Sequence, residues 1–189
     1  MSAVDYRRKM AELFAPFSKV AAKNPFSSSP VERSVDEILT VTDDNRMICD
    51  PYPRLLVARD QVNQGATAVV MSVEAARRLG VSEEKWVYVH GHADMIEQAT
   101  LDRADMGCQA CIGDGRARSI AGGGNRRRRH RHLRPVQLLP VPGLRHLRAL
   151  GIDGDDLRGL TLTGGLPYFG GPGNSYSLHG IAETVSELR

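Results

Sequence analysis

Aromatic residues are scarce in this chain, cysteines are few, and long apolar runs are missing. Phe, Tyr and Trp together make up 5% of its 189 residues. The three cysteines are an odd number and too few for the disulfide framework that staples small secreted domains. The longest apolar runs are short, as from Ala66 to Met71, which Thr67 interrupts. A membrane-spanning helix needs about 20 apolar residues in a row, so none is expected and no membrane partner is implied. The opening MSAVDYRRKM carries charges with no apolar stretch behind it, which excludes a secretory signal of the usual form. These absences leave a cytoplasmic protein with reduced thiols as the expectation.

What is present has the balance of a soluble globular domain. Hydrophobic residues make up 41% and charged residues 25%, and the length suffices for one domain with its own core. The net charge of +3 conceals an uneven distribution. Between Cys108 and Arg148 stand ten Arg, no Lys and a single acid, Asp114. The rest of the chain holds fifteen basic and twenty-one acidic residues. An acidic protein thus carries a strongly basic insert, at its densest in GGGNRRRRHRHLRP from Gly122 to Pro135.

Outside the insert, helical and strand patterns alternate, which places the chain in the α/β class. Met10, Leu13, Phe14, Phe17, Val20 and Ala21 recur at helical spacing, with Pro16 expected to kink or divide that helix. Ser29, Pro30 and Glu32 read as the capped start of a second helix. A third helix is expected from about Leu55. TAVVMS (67–72), KWVYVHGHA and LTLTGG read as strands. Ser72 and Gly80 bracket a helix, and YSLHGIAETVSELR reads as a helix to the last residue. DMIEQATLDRADMG reads as helix or loop. The domain boundaries expected are 1–107, 108–148 for the insert, and 149–189. From Gly107 to Arg148 neither helical nor strand periodicity holds, so the insert reads as disordered or poorly packed.

Three groups of residues could carry chemistry. The first is the glycine-rich loop GGLPYFGGPGNS between a strand and a helix. Such a loop lets backbone approach a ligand and aims helix N–H groups at an anion or carbonyl. It fits neither common nucleotide motif, and a tight connection with no ligand would use the same residues. The second is His90 and His92 with Asp94, which would share one side of a strand. No further ligand accompanies them, so two polar residues at a strand end are the simpler account. Cys108, Cys111, His130 and His132 make the third, but the His spacing is too short for a usual zinc site. No metal is expected. Cys49 reads as a small core residue.

LTLTGGLPYFGGPGNSYSLHGIAETVSELR closely resembles the C-terminal part of the acetyl-CoA acetyltransferase and thiolase-like family. NRMICDPYPRLLVARDQVNQGATAVVMSVEAARRLGV and WVYVHGHAD resemble its middle. The resemblance covers Tyr6 to Met106 and Ala149 to Arg189. It implies a partial thiolase-like fold of layered helices and mixed sheet. It also implies acyl-CoA binding, acyl transfer through a thioester, a place in lipid metabolism, and coenzyme A as part of the substrate rather than a cofactor. By resemblance, Gly164, Gly165, Gly170, Gly171, Pro172, Gly173 and Asn174 are the substrate-binding positions. In thiolases a Gly-His-Pro motif in this loop helps to form an oxyanion hole. Gly170, Gly171 and Pro172 match it, with Gly171 in place of the His. His179 does not match that His and reads as a packed or capping residue. The family's nucleophilic Cys lies in a half that resembles nothing in this chain. No catalytic residue is therefore assigned, and the chain is expected to be inactive.

The resemblance also bears on the insert. After the position of Met106 the family continues much as DDVDTFDLYSCFP. HLRPVQLLP, His132 to Pro140, can be written CAC CTT CGA CCT GTA CAG CTG CTT CCC. Read one base later, those codons give TFDLYSCFP. Gly124 to Leu133 can likewise encode VTADDVTDTF, and Cys108 onward ARPASV. The insert thus reads as out-of-frame translation, with the frame restored near Ala149. The alternative is a non-enzymatic protein whose Arg126 to Arg129, Arg131 and Arg134 bind nucleic acid or another acidic partner. The insert has no Phe, Tyr or Trp to stack on bases, which counts against nucleic acid.

Overall fold

A computed structural model gives the fold, and it describes residues 2–96, 98–103, 118 and 160–189. The expected boundaries at 107/108 and 148/149 lie outside these residues, as does the insert apart from Arg118. The chain divides into two compact units. The described part of the first comprises residues 2–87 and 161–189.

Helix α1, Ala3–Ala21, forms the core of the first unit. Ser2 accepts a hydrogen bond from the Asp5 backbone N–H, and the Asp5 carboxylate accepts one from the Ser2 backbone N–H. This reciprocal cap satisfies two N–H groups that a helix start leaves free. Met10, Leu13, Phe14, Phe17 and Ala21 are buried, as their spacing predicts. Pro16 does not divide the helix, which continues through it. Pro16 and Glu12, whose carbonyl loses its bond there, both lie on the exposed face. The buried stripe runs unbroken past them and offsets a cost of about 3 kcal/mol.

The second helix starts later than expected. Helix α2 is Val35–Leu39, capped by Ser34 and Glu37 rather than by Ser29 and Glu32. Both pairs have the same S-x-x-E spacing, and a distant partner decides between them. The backbone N–H groups of Ser28 and Ser29 donate to the carbonyls of Phe169 and Tyr168, at 2.8 and 3.0 Å. That draws the chain out straight through Ser29. The expected helix from Leu55 is a single 3-10 turn, Arg54–Leu56, and the chain beyond it runs along the glycine-rich loop.

Strands β1, Met47–Cys49, and β2, Tyr52–Pro53, pair antiparallel and are the only sheet among the described residues. The expected strands at 67–72, 85–93 and 160–165 do not form ladders among the described residues. A ladder requires a second backbone to pair with, and strand-like composition does not supply one. The mixed sheet is thus absent from the described residues. Cys49 is exposed rather than in the core, because it lies at the end of a hairpin.

One buried amide ties this region together. Asn45 is 4% exposed, and its Nδ2 donates to the carbonyls of Ile38 and Thr40 at 3.0 and 2.8 Å. Its Oδ1 accepts from the Leu55 N–H at 2.9 Å. Asn45→Ala would strand these groups, each costing about 1–3 kcal/mol when buried. The expected loss is about 3 kcal/mol in a urea titration.

Helix α3, Val73–Arg78, starts at Ser72 and ends before Gly80 (φ 68°), as the sequence predicts. Helix α4, Tyr176–Leu188, closes the chain, again as predicted. In the second unit a 3-10 turn, Thr100–Asp102, is the one regular element among the described residues beyond Arg118.

Candidate functional site

The glycine-rich loop lies across the C-terminal turns of α1. Thr161 and Thr163 enter it buried, and their hydroxyls cap backbone that a strand partner would otherwise satisfy. Thr161 Oγ1 accepts from the Gly164 N–H at 3.0 Å, and Thr163 Oγ1 from the Gly165 N–H at 3.2 Å. Thr163 and Tyr176 share a hydrogen bond of 2.8 Å between hydroxyls, which links the loop's entry to α4. The Tyr168 and Phe169 N–H groups both turn back to the Gly165 carbonyl.

Four glycines of the loop are buried against the chain itself. Gly164 (φ 105°) lies on Ala21, and a Cβ there would strike both the backbone and the side chain of that residue. At Gly165 (φ 79°) a Cβ would stand 2.9 Å from the Phe17 ring. At Gly170 (φ 113°) it would stand 2.5 Å from Gln64 Oε1. At Gly171 it would strike the Leu166 side chain. Packing within the chain therefore accounts for glycine at all four positions. Pro172 is half-buried, whereas Gly173 and Asn174 are exposed on the short turn that leads into α4. Of the seven positions expected to bind substrate, these three form the accessible end.

A second strand of chain clamps the loop from the other side. The Arg59 N–H donates to the Leu166 carbonyl at 3.2 Å, and the Arg59 carbonyl accepts from the Gly171 N–H at 2.7 Å. Gln64 Nε2 donates to the carbonyls of Phe26 and Phe169, at 2.7 and 2.8 Å. Ser27 Oγ donates to the Tyr168 carbonyl at 3.0 Å. None of these pairings is signalled locally in the sequence. A half-buried glutamine beside a glycine loop becomes conspicuous only once the two are neighbours.

Aromatic rings fill the space beneath. Phe14 packs on Phe17 and Tyr168, with ring centres 5.0 and 6.5 Å away, and Phe169 packs on Tyr176 at 6.3 Å. His179 is buried with its ring edge-on to Phe169, 5.3 Å between centres, so it is the packed histidine the sequence suggests. Burial pushes the Tyr176 phenol up to about 12, against a smaller downward pull from the Thr163 hydrogen bond. Burial raises the Tyr168 phenol further, with the nearby Arg33 charge opposing it. Among the described residues the Tyr168 hydroxyl has no hydrogen-bond partner.

The other expected residues do not assemble. His90 and His92 are exposed on a segment that forms no strand, so the argument that they face one side fails. Among the described residues no three His, Cys, Asp or Glu side chains group as a metal set. Cys108, Cys111, His130 and His132 lie outside the described residues. Among those described, no helix is long and apolar enough to cross a membrane.

No family model and no curated protein matches the chain. Among solved structures, the crystal structure of a monomeric SCP2-thiolase-like protein type 1 from Mycobacterium smegmatis is similar to all of it. The two share 56% of their residues at a TM-score of 0.89. The chain spans 41% of that protein's length. In fold, and in more than half of its residues, this chain is similar to that SCP2-thiolase-like protein.

Proposed function

We propose that this chain is a portion of a cytoplasmic acyltransferase of the acetyl-CoA acetyltransferase type, and that it is catalytically silent as it stands. The 56% identity to an SCP2-thiolase-like protein carries this reading. In the intact protein the glycine loop would face an acyl-CoA thioester with its accessible end, Pro172, Gly173 and Asn174. The first N–H groups of α4 follow directly, and Ser175 provides no side-chain cap for them. Free N–H groups at a helix start favour a carbonyl oxygen on which negative charge develops. Gly171 stands where the resemblance places an oxyanion-hole His. The Gly171 N–H is held by the Arg59 carbonyl, so N–H groups at the start of α4 would serve the thioester carbonyl.

The segment from Cys108 to Arg148 belongs to this reading as out-of-frame translation. Its arginines then have no function to explain. The reading is tested by mixing the purified chain with a 3-ketoacyl-CoA and free coenzyme A and following thiolysis. The expected rate is that of the mixture without protein. Turnover by this chain would overturn the assignment of silence. In parallel, acetyl-CoA titrated into a chain with residues 108–148 re-encoded in the adjacent frame should release binding heat. The absence of such heat would count against acyl-CoA as the ligand.

A further inference from the structure

Helix α4 is apolar on two opposite sides. One side is packed: Tyr176, His179 and Gly180 are buried, and the rings of Tyr176 and His179 lie against Phe169. The other side carries Leu178, Ile181, Val185 and Leu188. At about 3.6 residues per turn these four fall in one line, away from the packed side. Leu178, Ile181 and Leu188 are 39%, 46% and 51% exposed, and Val185 is half-buried. A surface helix turns a polar face to water opposite its buried one, whereas a helix apolar on both faces belongs in an interior. The spacing of three, four and three residues along the stripe is that of a seam between two helices. A strand laid on it would call for a period of two instead.

We infer that this stripe of α4 receives an amphipathic helix from a partner polypeptide that supplies the rest of a thiolase-like protein. This rests on the reading of the chain as a portion of such a protein. The similar mycobacterial protein is more than twice as long as this chain, which spans 41% of it. The part left unmatched is large enough to hold the helix. That protein is monomeric, so whatever covers its matching helix comes from its own chain. A second copy of this chain, pairing stripe on stripe, is the competing occupant.

The test co-expresses this full chain with a tagged polypeptide comprising the unmatched part of the mycobacterial protein. The expected result is a one-to-one complex recovered on the tag. Ile181→Glu should weaken it by about tenfold or more, since it would bury an unpaired charge in the seam. Ser186→Glu adds the same charge outside the stripe and should leave the affinity within about twofold. Ile181 and Ser186 are both exposed, so each free variant should keep the circular dichroism of the parent. Failure to co-purify would overturn the inference, and so would a complex that Ile181→Glu leaves intact. Self-association of the chain alone that Ile181→Glu abolishes would put a second copy on the stripe. Circular dichroism lost in the free Ile181→Glu variant would put the chain's own residues there. Either result would overturn the inference too. None of these readouts involves acyl-CoA, so thiolysis and acyl-CoA binding stand or fall separately.

Discussion

Gly164→Ala should lower the stability of the chain by about 4 kcal/mol. Two costs combine at this position. Its φ of 105° is a conformation that residues with a side chain rarely adopt, at a cost of about 1–3 kcal/mol. The added Cβ would also strike Ala21 on both backbone and side chain. Overpacking a buried site costs about 1–3 kcal/mol more. Neither partner can yield easily, because Ala21 ends α1 and Gly164 is held by the Thr161 hydroxyl. With a urea dependence of about 2 kcal/mol per molar, the midpoint should fall by about 2 M. Two glycines serve as references. Gly173 has a positive φ but open space around it, so Gly173→Ala should cost about 1 kcal/mol. Gly65 has open space and no positive φ, so Gly65→Ala should be neutral or stabilising by up to about 1 kcal/mol. Equal effects at all three positions would mean that the loop does not pack on α1 as described.

Alkaline pH should unfold the chain steeply. Tyr168 and Tyr176 are buried with phenols raised above the ordinary value of 10.0, the second to about 12. Below pH 10 both phenols are protonated whether the chain is folded or not, so they add no pH dependence. Above pH 10 the unfolded chain ionises them while the folded chain does not. Stability is then lost as pH rises, by about 1.4 kcal/mol per pH unit for each tyrosine. Together they give about 2.7 kcal/mol per unit between pH 10 and 12. Urea titrations at pH 9, 10 and 11 measure this slope. Tyr176→Phe should halve it. Tyr168→Phe should halve it too and cost little at pH 7, since the hydroxyl it removes has no partner among the described residues. An unchanged slope in both variants would show that these phenols are not the buried groups responsible.

Local signals in the sequence were reliable where local forces decide. The stripe from Met10 to Ala21 buries as its spacing demands, and Ser72 and Gly80 delimit α3 as their chemistry suggests. The helix from Tyr176 is equally plain. The signals failed where a distant partner decides. Ser29 and Ser34 offer the same cap, and only the pairing of residues 28–29 with the glycine loop chooses Ser34. Val69, Val70 and their neighbours carry strand composition, but a ladder depends on a second backbone that composition cannot reveal. Cys49 looks like a core residue by type and lies exposed at a hairpin end. Of the candidate site, the glycine-rich loop between residue 160 and the last helix was legible. Its clamp was not: Gln64, Arg59 and Ser27 come from segments more than one hundred residues away. Nor did anything near Asn45 suggest that its amide joins α2 to the turn at Leu55.

We propose that the chain is a portion of a thiolase-like protein whose basic segment is read in the wrong frame. The most direct test is the DNA sequence across codons 106–150, translated in all three frames. The expected result is an adjacent frame that runs without stops through a DLYSCFP-like stretch and rejoins the present frame near Ala149. Stop codons there, or no such stretch, would contradict it and make the arginines from Arg126 to Arg129 a genuine feature of the protein.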